Sequence, residues 1–259
     1  MAEFAPQYDL MKIIDKIRAG ISYIFWIIFI LSVTPSLLNI FECELKIDDL
    51  FNTMNIISIS LFFILEIVVE YILIPQADSK RRDDFIDNAF GSTFSTTASI
   101  GYYDTNEVQR GLYKVATNLF QNSYFTYNLV KAITLRKTIL PSLVLLSIAV
   151  FAYFGFKQVP FGLSLLQALF SATLLGDLVK HFILMVRIHA IHDSLITLFQ
   201  NQDVKSNTDK YQTQIYRYWL QYETLHSRIQ AGIPETVFQK LNSGLTEDWD
   251  NIKLRYNIN

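Results

Sequence analysis

Four long apolar stretches organise the chain, at residues 20–41, 54–75, 139–156 and 163–186, with polar segments of unequal length between them. The hydrocarbon core of a bilayer is about 30 Å thick and is crossed by about 20 apolar residues in a helix, so each stretch predicts a spanning helix. Hydrocarbon offers a backbone no hydrogen-bond partners, which leaves the helix as the form each segment takes there. The pattern predicts an all-α integral membrane protein. Residues 1–19 form an amino-terminal helix, 20–75 a first transmembrane hairpin and 76–138 a polar connector with a helix. Residues 139–186 form a second hairpin, and 187–259 a helical tail.

Outside the apolar stretches the spacing is also helical. Residues 76–106 read as a connector. Leu112, Val115, Leu119 and Phe120 then fall on one helix face, with Asn106 placed as a cap and Pro141 as a break. Beyond residue 186, Ile191, Leu195 and Leu198 continue the periodicity. A second helix over 207–231 carries Ile215, Tyr218, Trp219, Tyr222 and Leu225, and ends at Gly232 and Pro234. Two short helices are expected to finish the chain, the last capped by Thr246 and holding Trp249, Ile252 and Leu254.

Composition agrees with a membrane protein. Of 259 residues 51% are hydrophobic, more than a soluble domain of this length ordinarily buries. Residues 33–36, Val-Thr-Pro-Ser, offer no small-residue cleavage site, so the first apolar stretch reads as a retained helix. Basic residues give the orientation. Lys12, Lys16 and Arg18 precede the first stretch, and 76–138 holds Lys80, Arg81, Arg82, Arg110, Lys114, Lys131, Arg136 and Lys137. The loops 42–53 and 157–162 hold only Lys46 and Lys157, while the tail opens with Arg187. Since basic loops stay on the cytoplasmic side, the path is in-out-in-out-in with both ends inside.

A net charge of −2 with interspersed signs argues against direct readout of nucleic-acid bases. The single cysteine, Cys43, excludes an internal disulfide framework and a Cys-rich zinc site; it either bridges two subunits or is an idle thiol.

Ionisable residues inside the apolar stretches are the main chemical signal, because a charge in hydrocarbon costs about 2.5 to 3.5 kcal/mol on insertion scales. Glu66 and Glu70 share a face of the second stretch, and Asp177, Lys180 and His181 share a turn of the fourth. Counted from the outer end they lie at matching depths of about 18 to 27 Å, which makes Lys180 and His181 natural partners for the two glutamates. Asn55 and Ser58 extend the face of Glu66, Thr173 extends that of Asp177, and Ser32, Ser36 and Asn39 lie along the first stretch. These groups either line a water-filled path as pore or gating residues, or pair inside a static bundle.

Other motifs are weaker. The run Asp83-Asp84-Phe85-Ile86-Asp87 matches the acidic pattern that prenyl-transfer enzymes use to hold magnesium and diphosphate, but no second acidic motif accompanies it. It reads first as a solvated helix start. His181, His189 and His192 with Asp193 form a loose row rather than a metal shell. Glycine loops for phosphate, a GxSxG elbow and a Cys-His pair are all missing, so neither cofactor nor catalytic residue is expected.

The two-hairpin layout has further marks: Asp84-Phe85-Ile86-Asp87, Gly101-Tyr102-Tyr103-Asp104, Gln121-Asn122 with Tyr127 and Leu129, and Ile233-Pro234 before an acidic-aromatic helix. With these the chain resembles the four-transmembrane (S-4TM-like) effectors of bacterial anti-phage defence. The resemblance implies an oligomeric inner-membrane protein that permeabilises the membrane in abortive infection, triggered by a sensor protein or a small nucleotide signal. Arg81, Arg82 and Arg110 are the cations placed to meet such an anion, unless they serve topology and lipid headgroups. Two other readings remain: an anchor whose tail recruits a soluble partner, and a lipid- or prenyl-processing enzyme using Asp83, Asp84 and Asp87.

Overall fold

A computed structural model describes residues 4–40, 48–154 and 174–258. They form an all-helical structure in which no strand occurs among the described residues. Helix α1 is Tyr8–Ile40, α2 is Asp48–Val68, α3 is Ile74–Phe90 and α4 is Leu112–Phe154. Helices α5 (Leu174–Phe199), α6 (Thr208–Arg228) and α7 (Glu235–Tyr256) follow. A π-helical turn, Val69–Leu73, joins α2 to α3, with the Ile74 N–H donating to the Val69 carbonyl.

Three helical stretches among the described residues are long and apolar enough to cross a membrane: Tyr8–Pro35, Asp49–Phe90 and Gly176–Phe199. The apolar stretch 139–156 forms the end of α4, and its last two residues lie outside the described residues. Residues 163–173 of the fourth stretch, Cys43 and Thr173 also lie outside them, as do the side chains of Ser36 and Asn39.

Several boundaries differ from the expected ones, each for a physical reason. Residues 76–90 are helical rather than a connector. Ala77, Arg81, Phe85 and Ala89 recur every four residues, and Ala77, Phe85 and Ala89 are buried, so a stripe hidden in a charged sequence holds the helix. Gly91, at φ 76°, ends it by sending its N–H back to the Asp87 carbonyl at 2.7 Å. Helix α4 starts at Leu112 rather than Asn106, because the chain is first tied down by the Gly111 N–H donating to the Ala89 carbonyl at 2.9 Å. Pro141 lies inside α4 without ending it. The last 22-residue helix, α7, is continuous where two short ones were expected: Thr246 bonds back to the Asn242 carbonyl instead of capping.

The chain divides into two compact units. One comprises Leu10–Pro75 and Arg136–Val179. Within it Ile14, Ile21 and Ile28 are buried at seven-residue spacing on α1, while Ile30, Ile57, Ile64 and Leu146 are exposed. That is a bundle with an apolar outside, the reverse of a water-soluble surface.

The other unit comprises Met1–Asp9, Gln76–Leu135 and Lys180–Asn259. Its core is aromatic. Phe120 of α4 stacks on Phe199 of α5 at 5.1 Å and meets Trp249 and Tyr256 of α7 at 5.4 and 5.8 Å. Trp249 is fully buried, and Phe85 packs on Trp219 of α6 at 5.6 Å. Polar ties complete it: buried Asn118 accepts from Thr105 at 2.6 Å and donates to Asn88 at 2.8 Å. Lys253 reaches Asp104 across the unit.

Candidate functional site

In the apolar unit, polar side chains meet between α1 and α2. Asn55 Nδ2 donates to Ser32 Oγ at 3.1 Å, and Asn55 Oδ1 is buried with no hydrogen-bond donor. Ser58 instead donates to the Met54 carbonyl of its own helix at 2.8 Å. Glu66 is half-buried on the same helix. Glu70 lies in the π-helical turn, a device that often re-aims a functional side chain, and its Oε1 is 3.4 Å from Arg18 Nη2. Arg18 is thus a partner of the acidic pair that depth counting along the second and fourth apolar stretches does not reveal. Asp177 is exposed near the start of α5.

In the aromatic unit, Lys180 is exposed and His181 is buried, with its Nε2 3.0 Å from Thr134 Oγ1. His189 stacks on Tyr127 at 4.6 Å and pairs with Asp193 at 3.4 Å, while the ring of His192 lies 5.4 Å from Phe120. These histidines pack against rings rather than converge. No group of three or more His, Cys, Asp or Glu side chains gathers as a metal site among the described residues.

The Asp83–Asp87 run also resolves into separate tasks. Asp87 accepts hydrogen bonds from the N–H groups of Phe94 and Ser95 at 2.8 and 2.7 Å and from Ser95 Oγ at 2.6 Å. Slight burial disfavours its charge, but these donors outweigh that and hold its pKa down to about 2. Asp84, buried, accepts from the Ser99 N–H at 2.8 Å, and burial raises its pKa. The two carboxylates tether residues 94–99 to α3. Beside them, Arg110 and Lys114 face the same polar cleft of about 480 Å³, so acids and bases there balance.

Arg81 holds several partners at once. Its Nη1 and Nη2 donate to the two carboxylate oxygens of Glu223 on α6 at 3.2 and 2.6 Å, and its Nε reaches Asp78 at 3.3 Å. The guanidinium also lies 5.8 Å from the Tyr222 ring centroid. Burial opposes its charge, yet Glu223 more than compensates and raises its pKa above the ordinary value. Burial and the Arg81 charge push neighbouring His226 down to about 3, which keeps it neutral. Arg81 is therefore already neutralised from within, Arg82 is half-buried, and Arg110 is exposed.

With this geometry in view, the chain was compared with family models, curated proteins and solved structures. Nothing matches. The assignment of function rests on the residues themselves. The Arg81–Glu223 pair leaves no mark in the local sequence pattern, since its partners are 142 positions apart. Arg18 carries a visible signal: it stands eight residues before Trp26 at the edge of the first apolar stretch, where a basic residue marks topology and also comes within reach of an intramembrane acid.

Proposed function

We propose that this protein is a regulated membrane effector of the bacterial inner membrane that permeabilises or depolarises it as an oligomer, in an abortive-infection response to phage. It crosses the bilayer four times with both termini cytoplasmic, and the polar groups of α1 and α2, with Asp177, line the path.

The observation that supports this reading best is the Asn55–Ser32 hydrogen bond between the apolar stretches of α1 and α2, with Asn55 Oδ1 left buried and undonated. A polar group in that setting is stabilised by water or by a donor from another copy. The first brings a hydrated seam into the bilayer, and the second draws copies of the chain together there. Four helices enclose little space by themselves, so a conducting form needs several subunits, and the exposed isoleucines of the apolar unit supply surface for that contact or for lipid.

Induced expression in cells, followed by dye entry and a membrane-potential probe, tests the proposal. The native chain is expected to admit dye and collapse the potential. The Glu66→Leu, Glu70→Leu double variant and Asn55→Leu are expected to reduce both signals at equal membrane abundance. Unchanged leakage in these variants removes the path from these residues, and an intact potential with the native chain removes the permeabilising function.

A further inference from the structure

The α5–α6 hairpin holds an open cleft of about 700 Å³ that contains three arginines and no acidic lining residue among those described. Arg187 comes from α5, and Arg217 and Arg228 from α6; all three are exposed. No ion pair engages any of them among the described residues, whereas Arg81, Lys210 and Lys253 of the same unit are each paired with a carboxylate. Three like charges around one depression repel one another unless an anion offsets them.

The cleft's shape and lining narrow down that anion. Arg217, Gln221, Thr224 and Arg228 follow at spacings of four, three and four residues and share one face of α6, which places the outer two about 16 Å apart along the axis. That is too long for a cage around one small ion and suits an extended molecule. Ile183 and Leu220 border the arginines and are 42% and 65% exposed, giving the same groove an apolar side. A ligand that satisfies both linings is amphiphilic, with phosphate at the charged part, since the guanidinium fork matches phosphate oxygens in pairs. Arg187 immediately follows the apolar stretch 163–186, where headgroups meet the protein if that stretch crosses the bilayer.

We infer that the α5–α6 cleft binds anionic phospholipid along its length, with Arg187, Arg217 and Arg228 spread over the headgroup phosphates that occupy it and Ile183 and Leu220 against the adjoining apolar part. This rests on the protein being embedded in a membrane, but not on its permeabilising that membrane. The site gives the protein a means of sensing the anionic lipid content of its own bilayer.

The test uses the full chain purified in neutral detergent, with phosphatidylglycerol, phosphatidylcholine, glycerol phosphate or inorganic phosphate added, and reads thermal stability and lipid retained in native mass spectra. Phosphatidylglycerol is expected to raise Tm and stay bound, with phosphatidylcholine inactive at equal concentration. In the triple variant Arg187→Gln, Arg217→Gln, Arg228→Gln the apparent affinity is expected to fall about tenfold or more, with the lipid-free Tm unchanged because these side chains are exposed. The corresponding triple lysine variant keeps the charge and is expected to keep part of the binding, which guards against a folding defect. Equal stabilisation by phosphatidylcholine, or full binding by the glutamine variant, overturns the proposal. A response to inorganic or glycerol phosphate alone reassigns the cleft to a soluble phosphate and overturns the lipid assignment. Lipid binding without dye entry in cells leaves this site standing while the permeabilising function fails, so the two outcomes separate.

Discussion

Arg81 and Glu223 stand 142 positions apart in the chain and hold each other through two hydrogen bonds, at 3.2 and 2.6 Å, with both side chains largely withdrawn from solvent. The pair joins α3 to α6. Removing one member leaves a buried charge without its counter-ion, which costs about 3 to 5 kcal/mol, whereas replacing both with apolar groups of similar size is far milder. Chemical denaturation in detergent is expected to show Glu223→Ala strongly destabilised and Arg81→Met, Glu223→Leu much closer to the native chain. Additive losses in the double variant argue against direct coupling.

His226 gives the unit a pH dependence of known sign. Its pKa is about 3 in the fold against an ordinary 6.5, from burial and the Arg81 charge. Between these values the unfolded chain takes up a proton that the folded chain does not, so stability is fully present above 6.5 and is lost as pH falls. The slope approaches about 1.4 kcal/mol per pH unit inside the window. Unfolding measured from pH 8 to pH 5 is expected to show this falling stability in the native chain and a shallower fall in His226→Phe, which keeps an aromatic ring beside Tyr222, with His192, also pushed down by burial, supplying a remainder of the same sign.

Asp87 is expected to behave as a structural tether. Asp87→Ala removes the acceptor for three donors from Phe94 and Ser95, at a cost of about 1 to 3 kcal/mol. Amide hydrogen exchange at residues 94 and 95 is expected to speed up markedly, with little change in α6. Unaltered exchange there means that the tether contributes nothing.

Trp249 closes the aromatic core against Phe120, and truncating a buried tryptophan leaves a large cavity. Trp249→Ala is expected to cost about 3 to 5 kcal/mol in denaturant titrations, while Leu254→Ala on the same helix, 80% exposed, is expected to change stability by less than about 0.5 kcal/mol.

The charge asymmetry of the loops makes a topological prediction. In intact cells a membrane-impermeant maleimide is expected to label native Cys43. In a Cys43→Ser, Asn55→Leu, Glu66→Leu, Glu70→Leu background, where leakage is expected to be suppressed, Thr96→Cys is expected to react only after detergent is added. Labelling of position 96 from outside inverts the path.

The sequence was informative wherever burial imposes a strong period. Ile215, Tyr222 and Leu225 recur at helical spacing, and α6 occupies Thr208–Arg228, close to the expected 207–231. The apolar stretches are loud for a different reason, the unbroken apolar length that crossing a bilayer requires. Local punctuation was less dependable. Pro141 and Gly244 ordinarily signal breaks, yet α4 and α7 run through them, because packing along a long helix outweighs a single unfavourable residue. Residues 76–90 carry so many charges that their buried Ala77–Phe85–Ala89 stripe was masked. In the candidate site the polar residues themselves were legible and their partners were not. Arg18 for Glu70 and Glu223 for Arg81 are choices made by tertiary structure, which no local spacing encodes.

The aromatic unit is stitched from a short amino-terminal segment, the middle of the chain and its last third. No contiguous excision contains it. A fragment of residues 187–259 retains Trp249 and Phe199 but forfeits Phe120 and Phe85, the rings they and Trp219 rest on, so it would emerge with sticky, half-finished faces. Partner capture by such a fragment would report those raw faces, and binding experiments on this protein call for the intact chain.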